Sequence, residues 1–254
     1  MNPSLDPAVV KRAYTRDPAA ASAEYGAEFR KDVEAFISLE AVQACMDVGV
    51  RERAPVQGIR YVAFVDPAGG GADSMTLGVA HLEGDAVFLD AIREETVGTS
   101  PALVVERFAE TLKAYGVTKV TGDKYAGEWP REQFAKHGVT YEISDKSKTE
   151  IYAAFLPILN SQRARLIEAP KLEQQIVSLE RRTTRGTGRD IIDHPQVKGA
   201  HDDVANAAAG AVVLVKSEPK PLVISKELME WAKRPTNYSR RHTDPLGIRF
   251  TKGF

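Results

Sequence analysis

Two adjacent carboxylates, Asp202 and Asp203, precede a run of small and apolar residues that is typical of a buried helix, residues 208–215. An ionised carboxylate resists burial unless it is paired, hydrogen-bonded or bound to a metal. A helix N-terminus offsets part of that cost, because its dipole and free N–H groups favour negative charge. One interpretation therefore makes Asp202 an N-cap and leaves Asp203 in solvent. The other places a metal ion at this corner.

Two further acids follow predicted strands: Asp66 follows the continuous apolar run at residues 61–65, and Asp123 follows the short strand at residues 117–121 and Gly122. Ligand sites in open α/β sheets lie outside the carboxyl ends of strands. If these two strands are neighbours, their acids converge, and the helix of Asp203 can bring a third acid to the same edge. Three carboxylates together repel one another near neutral pH unless cations lie between them. Oxygen ligands favour Mg²⁺ or Mn²⁺, and two such ions suit in-line displacement at a phosphodiester.

The elements that must position these acids predict an α/β fold with a mixed central sheet. The glycine turn at residues 83–85 joins two apolar strands into a hairpin, and the chain then alternates between helical and strand patterns. A capping box, Ser147 to Glu150, starts a helix that Pro157 is expected to bend or end. The basic, turn-rich residues 181–193 indicate a hairpin or a mobile loop.

Composition sets the limits of the molecule. The chain has 254 residues, 43% of them hydrophobic, a formal net charge of -1 and one cysteine, Cys45. These values allow one substantial core and exclude a disulfide framework and a cysteine-based zinc site. No apolar run reaches membrane-spanning length and no signal pattern opens the chain, so we expect a soluble, intracellular protein without a membrane partner.

We expect three segments. Residues 1–58 form an approach segment with short helices over 28–36 and 38–46, residues 59–217 form the core domain, and residues 218–254 form a basic tail. The tail carries prolines and scattered aromatic residues, which argue against a core of its own.

Several segments together resemble the nuclease domain of the large terminase subunit of tailed bacteriophages. They are residues 66–74, 122–129, 179–183, 193–194 and 201–207. The resemblance covers about residues 61–215. It implies an RNase H-like fold, a mixed central β-sheet flanked by helices. It also implies a two-metal endonuclease, dependent on Mg²⁺ or Mn²⁺, that cuts concatemeric phage DNA when genome packaging starts and ends.

The resemblance also implies roles for the acids. Asp66 is the first metal ligand and bridges both ions, and Asp123 is the second. Asp203 is favoured as the third, because RuvC-type resolvases of the same fold show an acid followed three residues later by another polar ligand, here Asn206. Asp202 stays an alternative metal ligand.

Basic and histidine side chains flank the acids. The best candidate for a phosphate-contacting strip is formed by Arg181, Arg182, Arg185 and Arg189, although a solvated loop has the same pattern. Lys124 is either a phosphate contact or a solvated lysine beside an acid. His194 and His201 are candidates for proton relay, but a structural histidine is the commoner case.

Packaging terminases also carry an ATPase motor with a phosphate loop, and this chain has no Gly-x-x-x-x-Gly-Lys-Ser/Thr. The resemblance therefore implies a nuclease domain whose motor, normally in the same polypeptide, is absent here, with residues 1–58 as the end of the motor and the linker. It implies double-stranded DNA, the portal or procapsid and the small terminase subunit as partners, in the cytoplasm of the infected bacterial host. The aromatic residues favour docking over DNA holding for the tail.

Other functions fit less of the pattern. A junction resolvase of the same fold would carry the same acids and would prefer four-way junctions. A sugar-kinase or actin-type ATPase needs a later glycine-rich adenosine loop, and none follows Val139. A non-catalytic module that docks on the portal fits the tail but leaves the three acids unexplained.

Overall fold

A computed structural model gives the fold of the chain. The residues that it describes are 7–17, 21, 25, 33–67, 74–95, 100–123, 128–183 and 189–217. The described strands are β1 Val33–Ala35, β2 Met46–Asp47, β3 Tyr61–Asp66, β4 Met75–Glu83, β5 Ala86–Glu95, β6 Lys119–Gly122, β7 Thr140–Ile143, β8 Ala164–Ile167, β9 Glu180–Thr183 and β10 Asp190–Asp193. The described helices are α1 Pro7–Arg16, α2 Leu39–Gln43, α3 Pro101–Ala114, α4 Trp129–Lys136, α5 Lys148–Asn160, α6 Pro170–Ser178 and α7 Asp203–Ser217.

Seven strands form the central sheet in the order β2-β8-β5-β4-β3-β6-β7. The hairpins β3-β4 and β4-β5 are antiparallel, whereas β6 pairs with β3, β7 with β6, β8 with β5 and β2 with β8 in parallel. The sheet is therefore mixed, as the sequence predicts. Parallel pairs need a crossover, and helices supply it on both faces.

Neighbouring residues of β3 enter opposite cores. Phe64 packs with α5, α6 and α7 on one side of the sheet, and Val65 packs with α3 and α4 on the other. This burial on both faces explains why β3 is a continuous apolar run rather than an alternating one.

Helix α7 lies close against the sheet because its residues are small. A Cβ on Gly210 would stand 2.3 Å from the ring of Phe64, and a Cβ on Gly78 of β4 would stand 2.5 Å from the carbonyl oxygen of Ala207. Both distances are far below van der Waals contact, so glycine at these two positions sets the approach of α7 to β3 and β4. The close approach carries Asp203, the first residue of α7, to the edge of the sheet.

A second sheet of three strands has the order β1-β9-β10, and all its pairs are antiparallel. Its β9-β10 pair is the hairpin that the basic residues 181–193 predict. The helix expected over residues 28–36 is wrong in its described part, because Val33–Ala35 is the strand that pairs with β9. A helical pattern of this length carries no information about a partner strand that lies far away in the chain.

Part of the expected approach segment belongs to the core. Phe36, Val42 and Cys45 are buried against α5 and α6, and β2 extends the central sheet. The ordered domain therefore includes residues well before 59. Pro157 does not end α5, which continues to Asn160.

No helix in the described part of the chain is both long and apolar enough to cross a membrane.

Candidate metal centre

Parallel pairing brings two acids to one edge of the sheet. Phe64 of β3 faces Thr121 of β6, and Val65 faces Gly122, so the register places Asp66 and Asp123 side by side at the carboxyl ends of neighbouring strands. This is the adjacency on which the sequence argument depends. The backbone after β6 is held by Tyr141, whose hydroxyl donates to the carbonyl oxygen of Asp123 at 3.2 Å.

Helix α7 delivers the third acid. The backbone N–H of Ser74 donates to Asp203 Oδ2 at 3.3 Å, and Thr76 Oγ1 donates to the Asp203 carbonyl oxygen at 2.7 Å. Thr76 faces Asp66 across the β3-β4 pair. Asp203 is therefore fixed at the same edge as Asp66, and the three acids that the sequence singles out meet there.

Asn206 joins this group one turn along α7. It is fully buried, and its Nδ2 donates to Asp66 Oδ2 at 2.7 Å. Its Oδ1 is also buried and accepts no hydrogen bond within the described structure. A buried amide oxygen without a donor costs free energy, and a cation is one group that would satisfy it.

The electrostatics of the centre are unfavourable without a cation. Burial raises the pKa of Asp66 to about 7, the hydrogen bond from Asn206 opposes that rise, and the charges of Asp123, Asp203 and Asp202 add to it. Neighbouring carboxylates thus disfavour the ionised form of Asp66. Three acids and an unsatisfied amide oxygen are an all-oxygen donor set of the kind that Mg²⁺ and Mn²⁺ prefer.

Asp202 has different surroundings from Asp203. It is 4% exposed, and its carboxylate accepts from Tyr152 Oη at 2.8 Å, with Lys148 Nζ at 3.1 Å and His194 Nδ1 at 3.1 Å. Its carbonyl oxygen accepts from the N–H of Asn206 at 2.7 Å, so it occupies the N-cap position of α7.

The side-chain capping role expected of Asp202 belongs instead to another residue. Gln175 of α6 is buried, and its Oε1 accepts from the N–H of Ala205 at 3.0 Å. The side chain of Asp202 is committed to Tyr152, Lys148 and His194, so a residue from a different helix satisfies this N–H. The first helical turn of α7 is therefore held by Gln175 of α6 and, through the side chain of Asp202, by α5.

A second group of possible ligands lies beside the centre. One ligand atom from each of Asp193, His194 and Asp202 lies within 4.8 Å of the others. Lys148 Nζ stands 2.6 Å from Asp193 Oδ1, so this group already contains a cation. The pKa of Lys148 is raised, since the charges and hydrogen bonds of Asp202 and Asp193 outweigh the desolvation that would lower it.

The arginines of the predicted phosphate-contacting strip differ in their exposure and in their partners. Arg181 is only 4% exposed and forms an ion pair with Asp17, 2.6 Å from Nη1 to Oδ2, so it does not face solvent where a phosphate could reach it. Arg182 donates to Glu180 Oε2 at 2.8 Å and to the His194 carbonyl oxygen at 3.0 Å. These contacts give both arginines a structural role in the small sheet.

The other predicted basic and histidine residues differ in their exposure. Arg189 is exposed at the start of the β10 segment, and His201 is partly buried just ahead of α7. Lys124 and Arg185 lie outside the described residues, as does the tail. A cavity of about 250 Å³ beside Tyr61, Lys119 and Leu214 lies at the opposite edge of the sheet and contains none of the acids.

Three residues of the site were missed by the sequence argument: Lys148, Tyr152 and Gln175. The capping box at Ser147 is a signal that fixes Lys148 as the first residue of α5. Nothing local shows that this lysine meets Asp202, which is 54 residues away in the chain.

Known structures share this fold. The large terminase nuclease from thermophilic phage G20c matches with a TM-score of 0.58 and 15% identity, over 68% of this chain and 95% of that chain. The chain has the fold of a terminase nuclease domain. The nuclease domain of the large terminase of Thermus phage P74-26 gives a TM-score of 0.56 at 13% identity, over 70% of this chain and 94% of that chain.

The HK97 bacteriophage large terminase is also similar, with a TM-score of 0.57 and 15% identity. The match covers 72% of this chain but 44% of that protein, so the terminase nuclease fold here corresponds to less than half of it. The G20c nuclease is also similar in its structures with bound magnesium and with bound cobalt, at TM-scores of 0.58 and 0.57. No protein family model and no curated protein matches the sequence.

Proposed function

We propose that this chain is a metal-dependent DNA endonuclease that cuts concatemeric phage DNA at the start and end of genome packaging. The observation that carries the proposal is the meeting of Asp66, Asp123 and Asp203 at one sheet edge, on a terminase nuclease fold. The similar structures are terminase nucleases, which supports the activity, and the chemistry of the acids supports it independently.

The donor set supports two ions, Mg²⁺ or Mn²⁺. Ligands of a single Mg²⁺ bind at about 2.1 Å and so lie within about 4.2 Å of one another. In the described structure the ligand atoms of the three acids do not all come within 4.8 Å of one another. Two ions about 3.5–4 Å apart accept ligands spread over a larger distance. When bound, such ions supply a hydroxide nucleophile and stabilise the leaving oxygen.

The chain's own residues then have distinct tasks. Asp66, between the other two acids, is the proposed bridging ligand, and Asn206 orients it by donating to one of its carboxylate oxygens. Asp123 and Asp203 would hold the ions together with it. Asp203 is the better candidate than Asp202, because three donors already engage the Asp202 carboxylate.

Double-stranded DNA is the proposed substrate. Arg189 is exposed and is the described residue of the predicted strip that we assign to phosphate, together with Lys124 and Arg185 from outside the described residues. Contacts of this kind position a duplex without reading its sequence. We therefore expect little sequence preference.

The proposed partners of this chain are the other components of the genome-packaging machinery. An ATPase motor, the small terminase subunit and the portal or procapsid would act with this domain in the cytoplasm of the infected bacterium. We propose that residues 218–254 dock on the portal or procapsid. Truncation after Lys216 should then leave metal-dependent nicking intact and remove that binding; loss of nicking in a folded truncation would assign the tail to DNA.

A junction resolvase is the alternative, since acids on this fold serve both activities. Cleavage of a synthetic four-way junction at least tenfold faster than a duplex of the same arms would favour it. Equal or faster cleavage of the duplex supports the packaging nuclease.

The deciding experiment is a plasmid nicking assay with Mg²⁺ or Mn²⁺ and without ATP. We expect nicking and linearisation by the natural sequence, and none by Asp66→Asn or Asp123→Asn. Asp85→Asn is the matched control, because Asp85 is exposed in the β4-β5 turn at the opposite edge. Full activity in EDTA, or retained cutting by Asp66→Asn, contradicts the proposal.

A further inference from the structure

Lys148 has a fixed position at the start of α5. Ser147 caps the helix by accepting from the N–H of Glu150, and the Glu150 side chain accepts in return from the N–H of Ser147. The lysine directly after the cap therefore leaves the helix in a defined direction. Its Nζ lies 2.6 Å from Asp193 Oδ1 and 3.1 Å from Asp202 Oδ2.

The ammonium group of Lys148 takes the place that a metal ion could occupy in this group of side chains. Asp193, His194 and Asp202 have ligand atoms close enough to hold a metal ion. The ammonium group already contacts two of these three residues, and the Asp202 side chain is 5% exposed. A buried carboxylate needs a partner of opposite charge, so Lys148 is the cation of this group.

The contacts of the Asp202 side chain also affect Asp203, because the two residues are joined through the backbone. Asp202 and Asp203 are consecutive, yet the Asp202 side chain contacts α5 and His194 whereas Asp203 contacts Ser74 and Thr76. The carbonyl oxygen of Asp202 also accepts from the N–H of Asn206. Anchoring Asp202 therefore fixes the first turn of α7, which carries both Asp203 and Asn206.

We propose that Lys148 is a positioning residue of the metal centre. By holding Asp202 and Asp193 together, it keeps Asp202 out of the metal site and sets Asp203 and Asn206 toward Asp66. This inference rests on the proposed function, because it assigns Lys148 to the same centre. It adds a role for a residue whose ammonium group contacts Asp193 and Asp202.

The first test measures the Mn²⁺ concentration for half-maximal plasmid nicking. Lys148→Met should raise it about 10- to 100-fold, the range seen when groups that orient metal ligands are lost. Lys148→Arg keeps the charge and should remain closer to the natural sequence. Lys113→Met, which changes an exposed lysine on α3, is the control.

A double-mutant cycle separates positioning from general stability. In Asp202→Asn, Lys148 no longer has that carboxylate to hold, so adding Lys148→Met should cause little further change in Mn²⁺ dependence. A melting curve for each variant shows whether it is folded. An unchanged Mn²⁺ dependence in folded Lys148→Met, or an equal further loss in the Asp202→Asn background, overturns the proposal.

Calorimetric titration with Mn²⁺ tests the positioning role of Lys148 independently of the proposed endonuclease activity. If the natural sequence binds Mn²⁺ but cuts no DNA, the endonuclease proposal fails. Weaker Mn²⁺ binding by Lys148→Met still supports its positioning role, and equal binding by both proteins overturns it.

Discussion

Replacing Asp66 with Asn tests the electrostatics of the metal centre in the absence of metal. Burial raises the pKa of Asp66 from 3.8 to about 7, with further contributions from Asp123 and Asp203. The folded protein therefore holds a proton on Asp66 more tightly than the unfolded chain does. Between about pH 4 and about pH 7, the stability of the natural sequence should fall as the pH rises because of this residue. Asn has nearly the same shape and does not ionise.

The size of the effect follows from the pKa. Each pKa unit corresponds to about 1.4 kcal/mol, so the ionised form of Asp66 is disfavoured by at most about 4 kcal/mol. Asp66 is partly exposed, and solvent screens part of this cost. We expect Asp66→Asn to stabilise the metal-free protein at pH 8 by about 1–3 kcal/mol, and to have a smaller effect at pH 5.5.

Urea unfolding in EDTA at the two pH values measures this difference, with Asp85→Asn as the control. Added Mn²⁺ at pH 8 should reverse the order, because metal binding stabilises the natural sequence and not the variant. The reasoning is refuted if Asp66→Asn is less stable than the natural sequence at pH 8 in EDTA, or if its effect is the same at both pH values.

Three other changes test the packing and the surface. Gly210→Ala should destabilise the domain by about 1–3 kcal/mol in urea unfolding, because a Cβ would overlap the ring of Phe64; unchanged stability would mean that α7 can move away. Gln175→Ala should cost about 1–3 kcal/mol, because it leaves an N–H at the start of α7 buried and unpaired, and stability within error of the natural sequence would show that water replaces it. Arg189→Ala should lower the slope of log affinity against log salt by about 0.9 on duplex DNA, whereas Arg181→Ala should chiefly reduce stability; a slope changed only by the Arg181 variant would reverse the assignment.

The three acids could be found in the sequence because Asp66 and Asp123 each follow a predicted strand and Asp203 precedes an apolar helix. Continuous hydrophobic stretches mark buried strands, and a carboxylate at the end of one is a local signal. The hairpin β3-β4-β5, the β9-β10 hairpin and α7 are visible for the same reason. Their turns, caps and apolar runs depend on residues a few positions apart.

The elements that were missed or assigned wrongly depend on distant partners. Strand β8 has four residues and lies between β5 and β2, and β1 has three and pairs with β9. The sequence predicts a surface position for Arg181 because arginine is rarely buried, and its ion pairs with Asp17 and Asp190 allow its burial.

The class of fold, the acids and the oxygen chemistry that they imply depend on residue type and local pattern, so they are predicted without knowledge of the packing. The neighbouring positions of β3 and β6, which bring Asp66 beside Asp123, follow only from the folded structure. It also gave Asp202 and Asp203 different surroundings, since Lys148 and Tyr152 come from α5, far away in the chain. Two adjacent and chemically identical side chains cannot be told apart by a local pattern; the groups packed against them make the difference.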